Sequence, residues 1–186
     1  MKEISDFFFE LGQLKREKRT GWWIAGIKDP ESVSEHSHRA AAVAYCLAKL
    51  ENADAEKAAC IVIFHDLAEA RVGDSHKITQ RYIDSSAAEK LAEKEQLAKL
   101  PSRIGGPISD LLNDSSSKEA VIARDADLLE CAFQAKEYIE QGYASCQDWI
   151  NNVRKLLHTK SAKEILADME KSKSSDWWQG LKNIKR

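Results

Sequence analysis

Cys60-Ile61-Val62-Ile63-Phe64-His65-Asp66-Leu67-Ala68-Glu69 sets an ionisable pair directly behind a run of apolar residues. The run belongs in a core, so His65 and Asp66 stand beside one and need partners, because an unpaired buried charge is costly. Asp54 is placed to cap a helix leading into this run. Ala58, Ile61, Val62, His65 and Glu69 then share one stripe before the chain breaks at Gly73. On such a helix adjacent side chains lie about 100° apart, yet an imidazole and a short carboxylate can converge on one ion in the groove between helices.

Outward from this segment the periodicity is helical throughout. Ile4, Phe7, Phe8, Leu11 and Leu14 predict a first helix over 3–18, and Arg19 to Pro30, with two Gly and two Trp, reads as a loop. Ser32 and Glu35 have capping-box spacing and open a helix that carries His36 near its start and runs to Leu50. A more polar helix over 85–100 ends at Pro101, and a Gly-Gly-Pro loop precedes a short helical turn ending at Asn113, both outside the main core. A second capping box, Ser116 and Glu119, opens a helix reaching about Gln141 and stopped by Gly142, with Asp127 in its middle. Two further helices are expected near 146–158 and 161–171.

Composition agrees with an all-α fold. The chain has 186 residues, 43% apolar and 31% charged, with only eight Gly and three Pro, which suits amphipathic helices and one domain of ordinary size. A formal net charge of -2 offers no broad attraction for a nucleic acid polymer or an anionic membrane. No stretch approaches the ~20 apolar residues of a membrane span. Cys46, Cys60, Cys131 and Cys146 show no C-x-x-C spacing, and the N-terminus does not read as a secretory signal, so a cytoplasmic protein with reduced thiols is expected.

A lone His or Asp on a helix is ordinarily structural. Here His36 on an earlier helix and Asp127 on a later one can join His65 and Asp66, giving two nitrogens and two oxygens around a divalent cation. In this order the four residues resemble the metal ligands of the HD-domain superfamily. The resemblance is closer to the HD-domain 5′-deoxynucleotidases, across most of residues 5–145: Arg19-Thr20-Gly21-Trp22, Pro30-Glu31-Ser32-Val33-Ser34-Glu35-His36, His65-Asp66-Leu67-Ala68-Glu69, Gly73-Asp74 and Asp125-Ala126-Asp127. It implies an HD-domain helical bundle with a short C-terminal helical extension, 1–186 as a single domain with its core over about 5–145 and C-terminal helices and tail over 146–186. It also implies a homodimer that hydrolyses deoxynucleoside 5′-monophosphates with a divalent metal, Co2+, Mn2+, Mg2+ or Zn2+.

The residues sustain that chemistry. A cation held by His36, His65, Asp66 and Asp127 would keep open positions for water and a phosphate oxygen. Glu69, one turn after His65, is placed to orient the water or move a proton. For Asp74 three roles stay open: protonating the leaving 5′-oxygen through water, binding the sugar, or joining Glu69 at a second metal. Arg19 suits a phosphate clamp, since guanidinium grips two oxygens at once. Trp22 suits a flat contact with deoxyribose, where a 2′-hydroxyl would meet an apolar face, while Trp23 reads more readily as core. His76 and Lys77 follow Asp74 and are candidates for phosphate contact, although Gly73-Asp74-Ser75-His76-Lys77-Ile78 lacks the Pro common in the relatives' loop. His38 reads as structural, His158 as a helix-end residue, and Trp177-Trp178 as a strap onto the chain's own surface or a partner contact. The competing readings are another HD phosphohydrolase acting on a different nucleotide or small phosphate ester, and a non-enzymatic helical interaction module. The module would be expected to carry a broken ligand set, and here the set is intact.

Overall fold

A computed structural model describes residues 1–182. The fold is all-α; among the described residues, extended backbone pairs only at a single bridge between Lys18 and Ser32. Helix α1 (Lys2–Leu11) passes into a 3-10 turn (Gly12–Lys15), so the helix expected over 3–18 tightens at Gly12. A one-turn helix, α2 (Gly21–Ile24), interrupts the expected loop. Helix α3 (Val33–Leu50) opens on the full Ser32/Glu35 capping box, and α4 (Ala55–Phe64) on Asp54, whose carboxylate accepts from the Lys57 amide. Two one-turn helices follow, α5 (Glu69–Val72) and α6 (Lys77–Gln80), and then α7 (Ser85–Ala98) and α8 (Ser102–Asn113). Helix α9 (Lys118–Glu140) crosses the middle of the molecule, and α10 (Gln147–Leu156) and α11 (Lys160–Lys171) pack on it.

The central helix does not run from Asp54 to Gly73 but ends at Phe64, and residues 65–68 form a turn closed by i→i+3 bonds such as Leu67 N–H to the Phe64 carbonyl. The His65 imidazole donates from Nδ1 to the Val62 carbonyl at 2.6 Å, an acceptor that an unbroken helix would give to the Asp66 amide. The turn lies at the seam between two apolar clusters. Ile61 and Val62 enter the main core with α3, α9, α10 and α11, whereas Leu67 enters a smaller one with Phe7, Leu97, Leu100 and Ile108. Burying Val62 and Leu67 stabilises the fold by about 1.5–3 kcal/mol each and fixes both ends of the turn. The Gln96 amide also donates to the Leu67 carbonyl at 3.0 Å.

Two other boundaries shift. Helix α9 is capped by Ser117, whose hydroxyl accepts from the Ala120 amide, and not by Ser116. Glu119 accepts instead from the Asp54 amide at 3.1 Å, tying the starts of α4 and α9 together. Gly105-Gly106-Pro107 lies inside α8 rather than in a loop. Pro107 deprives the Arg103 carbonyl of a helix bond, and both residues are exposed. Gly105 is where α7 and α8 touch: a Cβ there would lie 2.5 Å from the Leu97 carbonyl oxygen.

Asp125 faces away from Asp127. It is fully buried and accepts from the amides of His158 and Thr159 and from the Thr159 hydroxyl, holding the start of α11 against α9. Ile150, Val153, Leu157, Ala162 and Leu166 share the main core with α9, so α10 and α11 are built into it. In the tail, Trp177 is mostly exposed and Trp178 half-buried.

Gly105→Ala is expected to destabilise the protein by about 1–3 kcal/mol through overpacking, whereas Gly106→Ala, which meets nothing within 4 Å, should be neutral or stabilising by up to about 1 kcal/mol. Urea unfolding of the two variants checks the contrast.

Candidate metal centre

Helices α3 and α9 and the turn after α4 bring one donor each to a common point. His36 Nε2, His65 Nε2 and an Asp127 carboxylate oxygen all lie within 4.8 Å of one another. His36 Nε2 is 2.9 Å from Asp127 Oδ1, and His65 Nε2 is 3.8 Å from the same oxygen. Asp66 lies beside this trio, its Oδ2 3.2 Å from His65 Nε2. The break after Phe64 is what lets neighbouring residues aim together.

His65 tests whether the set suits a cation. With Nδ1 donating to Val62, Nε2 is the ring nitrogen left toward the site, buried and without a hydrogen-bond partner. An acceptor nitrogen facing carboxylate oxygens is repelled unless a proton or a cation stands between them. Imidazole nitrogen and carboxylate oxygen are the donor types that divalent transition metals prefer, so the residues fit.

Arg19 approaches the same carboxylates from the α1–α2 side, with Nη1 3.3 Å from Asp66 and 3.6 Å from Asp74, and Nη2 4.0 Å from Asp127. Asp74 is held by Thr20, whose amide and hydroxyl donate to Oδ2 at 2.6 and 2.5 Å. Gly73, at φ 77°, turns the chain there, and the Asp74 amide donates to Glu17 at 3.1 Å. Glu69 projects from α5 with Oε2 buried and unpartnered. Glu69, Asp74 and Asp66 lie outside the groups of three mutually close donors among the described residues, and a second metal with Glu69 stays one of the three roles open for Asp74.

The electrostatics follow from burial and crowding. Burial and Arg19 push the His36 imidazolium down, but hydrogen bonds to Asp127 and Glu130 and the Glu130 charge outweigh them and raise it to about 10. Burial likewise opposes the charged form of His65, yet Asp66 and Asp127 raise its pKa. Burial would raise Asp127, but the two imidazoles hold it well below the carboxylate range. Glu69 is pushed up to about 9 by burial first and by Asp66 next.

Three expected substrate residues are placed otherwise. Trp22 is 2% exposed, stacked on Trp149 at 5.1 Å and edge-on to Tyr138, so its ring has no free face for a sugar. Trp23, expected inside, is 50% exposed. Trp22 instead donates from Nε1 to Glu31 at 3.0 Å. His76 caps α6, its Nδ1 accepting from the Thr79 amide at 3.1 Å, and Lys77 is exposed and donates to Gln80 at 3.0 Å. Arg19, by contrast, is where a phosphate beside the trio would meet it.

Three buried or half-buried partners escaped the sequence reading. Glu130 meets His36 Nδ1, Arg39 donates to Glu130, and Glu31 lies close to both His36 and Glu130, with burial and then Glu130 raising it to about 7. The available signal was spacing: Glu130 follows Asp127, and Arg39 follows His36, by three positions, hence on the same helix faces.

Residues 11–169 match the family model described as HD domain. The 5′-deoxynucleotidase HDDC2 of Dictyostelium discoideum is 32% identical over 188 residues, which cover 91% of this chain and 98% of that protein. The 5′-deoxynucleotidase plu3092 of Photorhabdus laumondii is 29% identical, covering 87% of this chain and 88% of its own length. Among solved structures, a coding-region product of Archaeoglobus fulgidus superposes with a TM-score of 0.71 at 35% identity, covering 96% of this chain and 100% of that one.

Because His36 and His65 are raised above ordinary imidazoles, a cation must displace protons to bind. Affinity for Co2+ or Mn2+ is therefore expected to tighten as pH rises from about 6 to about 9. Calorimetry in buffers of different ionisation enthalpy should register the released protons; a pH-independent affinity would contradict this arrangement.

Proposed function

The chain belongs to the HD-domain family, and on that premise we propose that it is a metal-dependent phosphohydrolase that converts deoxynucleoside 5′-monophosphates to deoxynucleosides and phosphate. The observation that carries the reading is the convergence of His36, His65 and Asp127 from three separate segments, with Asp66 against His65 and a buried, unpartnered imidazole nitrogen aimed into the gap. Relatives in Dictyostelium and Photorhabdus named as 5′-deoxynucleotidases support the substrate class.

His36, His65, Asp66 and Asp127 would hold the divalent ion, Co2+, Mn2+, Mg2+ or Zn2+. When bound, such an ion acidifies water and offsets charge on a phosphoryl group. Arg19 binds the phosphate: the guanidinium already lies beside Asp66, Asp74 and Asp127, and two of its N–H groups can move onto phosphate oxygens without crossing the site. Glu69 moves the proton. Its buried Oε2 has no partner and its carboxyl is raised to about 9, so it exchanges a proton near neutral pH more readily than an exposed glutamate. Asp74, fixed by Thr20, orients the Arg19 guanidinium.

The same reading makes the protein a cytoplasmic homodimer. Four free cysteines support a reducing compartment, and no described helix is long and apolar enough to cross a membrane. Exposed Phe8, Phe9, Tyr82, Ile83 and Leu91 supply apolar surface for a second copy.

Phosphate release should be seen with deoxynucleoside 5′-monophosphates plus Co2+ or Mn2+, be abolished by chelation, and be weaker with ribonucleotides. His65→Ala should remove it, Glu69→Gln should lower kcat by roughly 10²–10⁴-fold, and Arg19→Lys should act mainly on KM. Inertness of the metal-loaded wild type toward every monophosphate would overturn the proposal.

A further inference from the structure

Behind His36, on the side away from Asp127 and His65, lies a second set of charges that the proposed reaction does not use. His36 Nδ1 hydrogen-bonds Glu130 Oε2, and both side chains are fully buried. Arg39 closes the set from the rim: Nε donates to Glu130 Oε1 at 2.8 Å, Nη1 to Glu137 at 2.7 Å and Nη2 to Gln134 at 2.8 Å. His36 and Arg39 are one turn apart on α3, and Asp127, Glu130, Gln134 and Glu137 succeed one another along one face of α9. One imidazole therefore touches Asp127 with one nitrogen and Glu130 with the other.

We infer that Glu130, clamped by Arg39, is a positioning residue for the metal centre, which fixes the proton of His36 on Nδ1 and turns the Nε2 lone pair toward His65 and Asp127. The inference rests on the metal-centre reading and deepens it. A buried carboxylate accepting from Nδ1 dictates the tautomer, locks the ring plane and makes Nε2 a stronger donor. A carboxylate serving only to bind α3 to α9 would gain as much from any α3 cation; this one contacts the single ring atom that decides which nitrogen faces the site. Arg39 supplies what Glu130 needs for this role. The fork saturates Oε1 and leaves Oε2 for the imidazole. Lys at position 39 would keep the charge but could not hold Glu130, Gln134 and Glu137 at once.

The test uses the full chain and Co2+ as the probe, read by titration calorimetry and by the visible absorption of bound Co2+, without substrate. Glu130→Gln, nearly isosteric and neutral, should weaken Co2+ binding roughly 10–100-fold and alter the absorption bands, while Asp127→Ala removes a direct ligand and serves as the reference for loss of the site. Arg39→Lys should shift affinity in the same direction by a smaller factor, in a protein that keeps its helical content in chelator. A folded Glu130→Gln protein with wild-type affinity and spectrum overturns the inference while leaving the metal centre intact. Failure of the wild type to bind Co2+ overturns both. If Glu130→Gln does not fold, Arg39→Lys decides: weaker binding in a folded protein of unchanged helical content supports the inference, and unchanged binding overturns it.

Discussion

The contact on which the rest depends is the imidazole of His36 between Asp127 and Glu130. Two fully buried ionisable side chains, His36 and Glu130, persist in a helical interior only if each charge has a partner. The partners come from opposite helices, so the pairing sets the register of α3 against α9. Sliding either helix by one residue would rotate Glu130 away from Nδ1 and Arg39 away from its three acceptors, leaving unpaired charge in a core lined by Ala40, Ala44, Ala123 and Ala126. Alanine on both helices permits the close approach that this pairing needs, and the ionic ladder selects one alignment among those that small residues allow.

The third element of the centre arrives by a different device. Helix α4 is apolar enough to run on, yet it stops where the His65 side chain takes the Val62 carbonyl. Because Val62 is anchored in the main core and Leu67 in the smaller one, the turn between them is held at both ends. A histidine and an aspartate adjacent in sequence thereby reach the same small volume. The smaller cluster thus does more than stabilise α7 and α8; it fixes the far side of the turn that carries His65 and Asp66.

The carboxylates around the centre are close-set. Asp66, Asp74 and Asp127 crowd one side, and Arg19 is the cation that reaches all three. Thr20, through its amide and hydroxyl, keeps Asp74 within reach of that guanidinium. A site organised in this way accepts a further positive ion readily and accepts an anion only where Arg19 can turn toward it. Trp22, buried against Trp149 and Tyr138 and bonded to the half-buried Glu31, supports the loop that carries Arg19.

The sequence by itself determined the helical class, the capping residues Ser32 and Asp54 and the stop before Gly142, because those features depend on spacing within a few residues, which a linear pattern records. The set His36, His65, Asp66 and Asp127 is spread too widely for local spacing to define, and it was legible as a resemblance to the HD-domain ligands. Only the tertiary structure decided that α4 breaks at Phe64, that Ser117 rather than Ser116 caps α9, and that Trp22 turns inward while Trp23 faces out. In each case the choice lay between near-equivalent neighbours and was made by a distant contact: Glu119 with the start of α4, Trp22 with Trp149, and Leu67 with Leu97. The Gly-Gly-Pro run became helix for the same reason, since Gly105 is needed where α8 meets the Leu97 carbonyl. Glu130 and Arg39 stood at helical spacing from recognised ligands, but spacing says only that residues share a face. What lies opposite that face is settled when two helices meet.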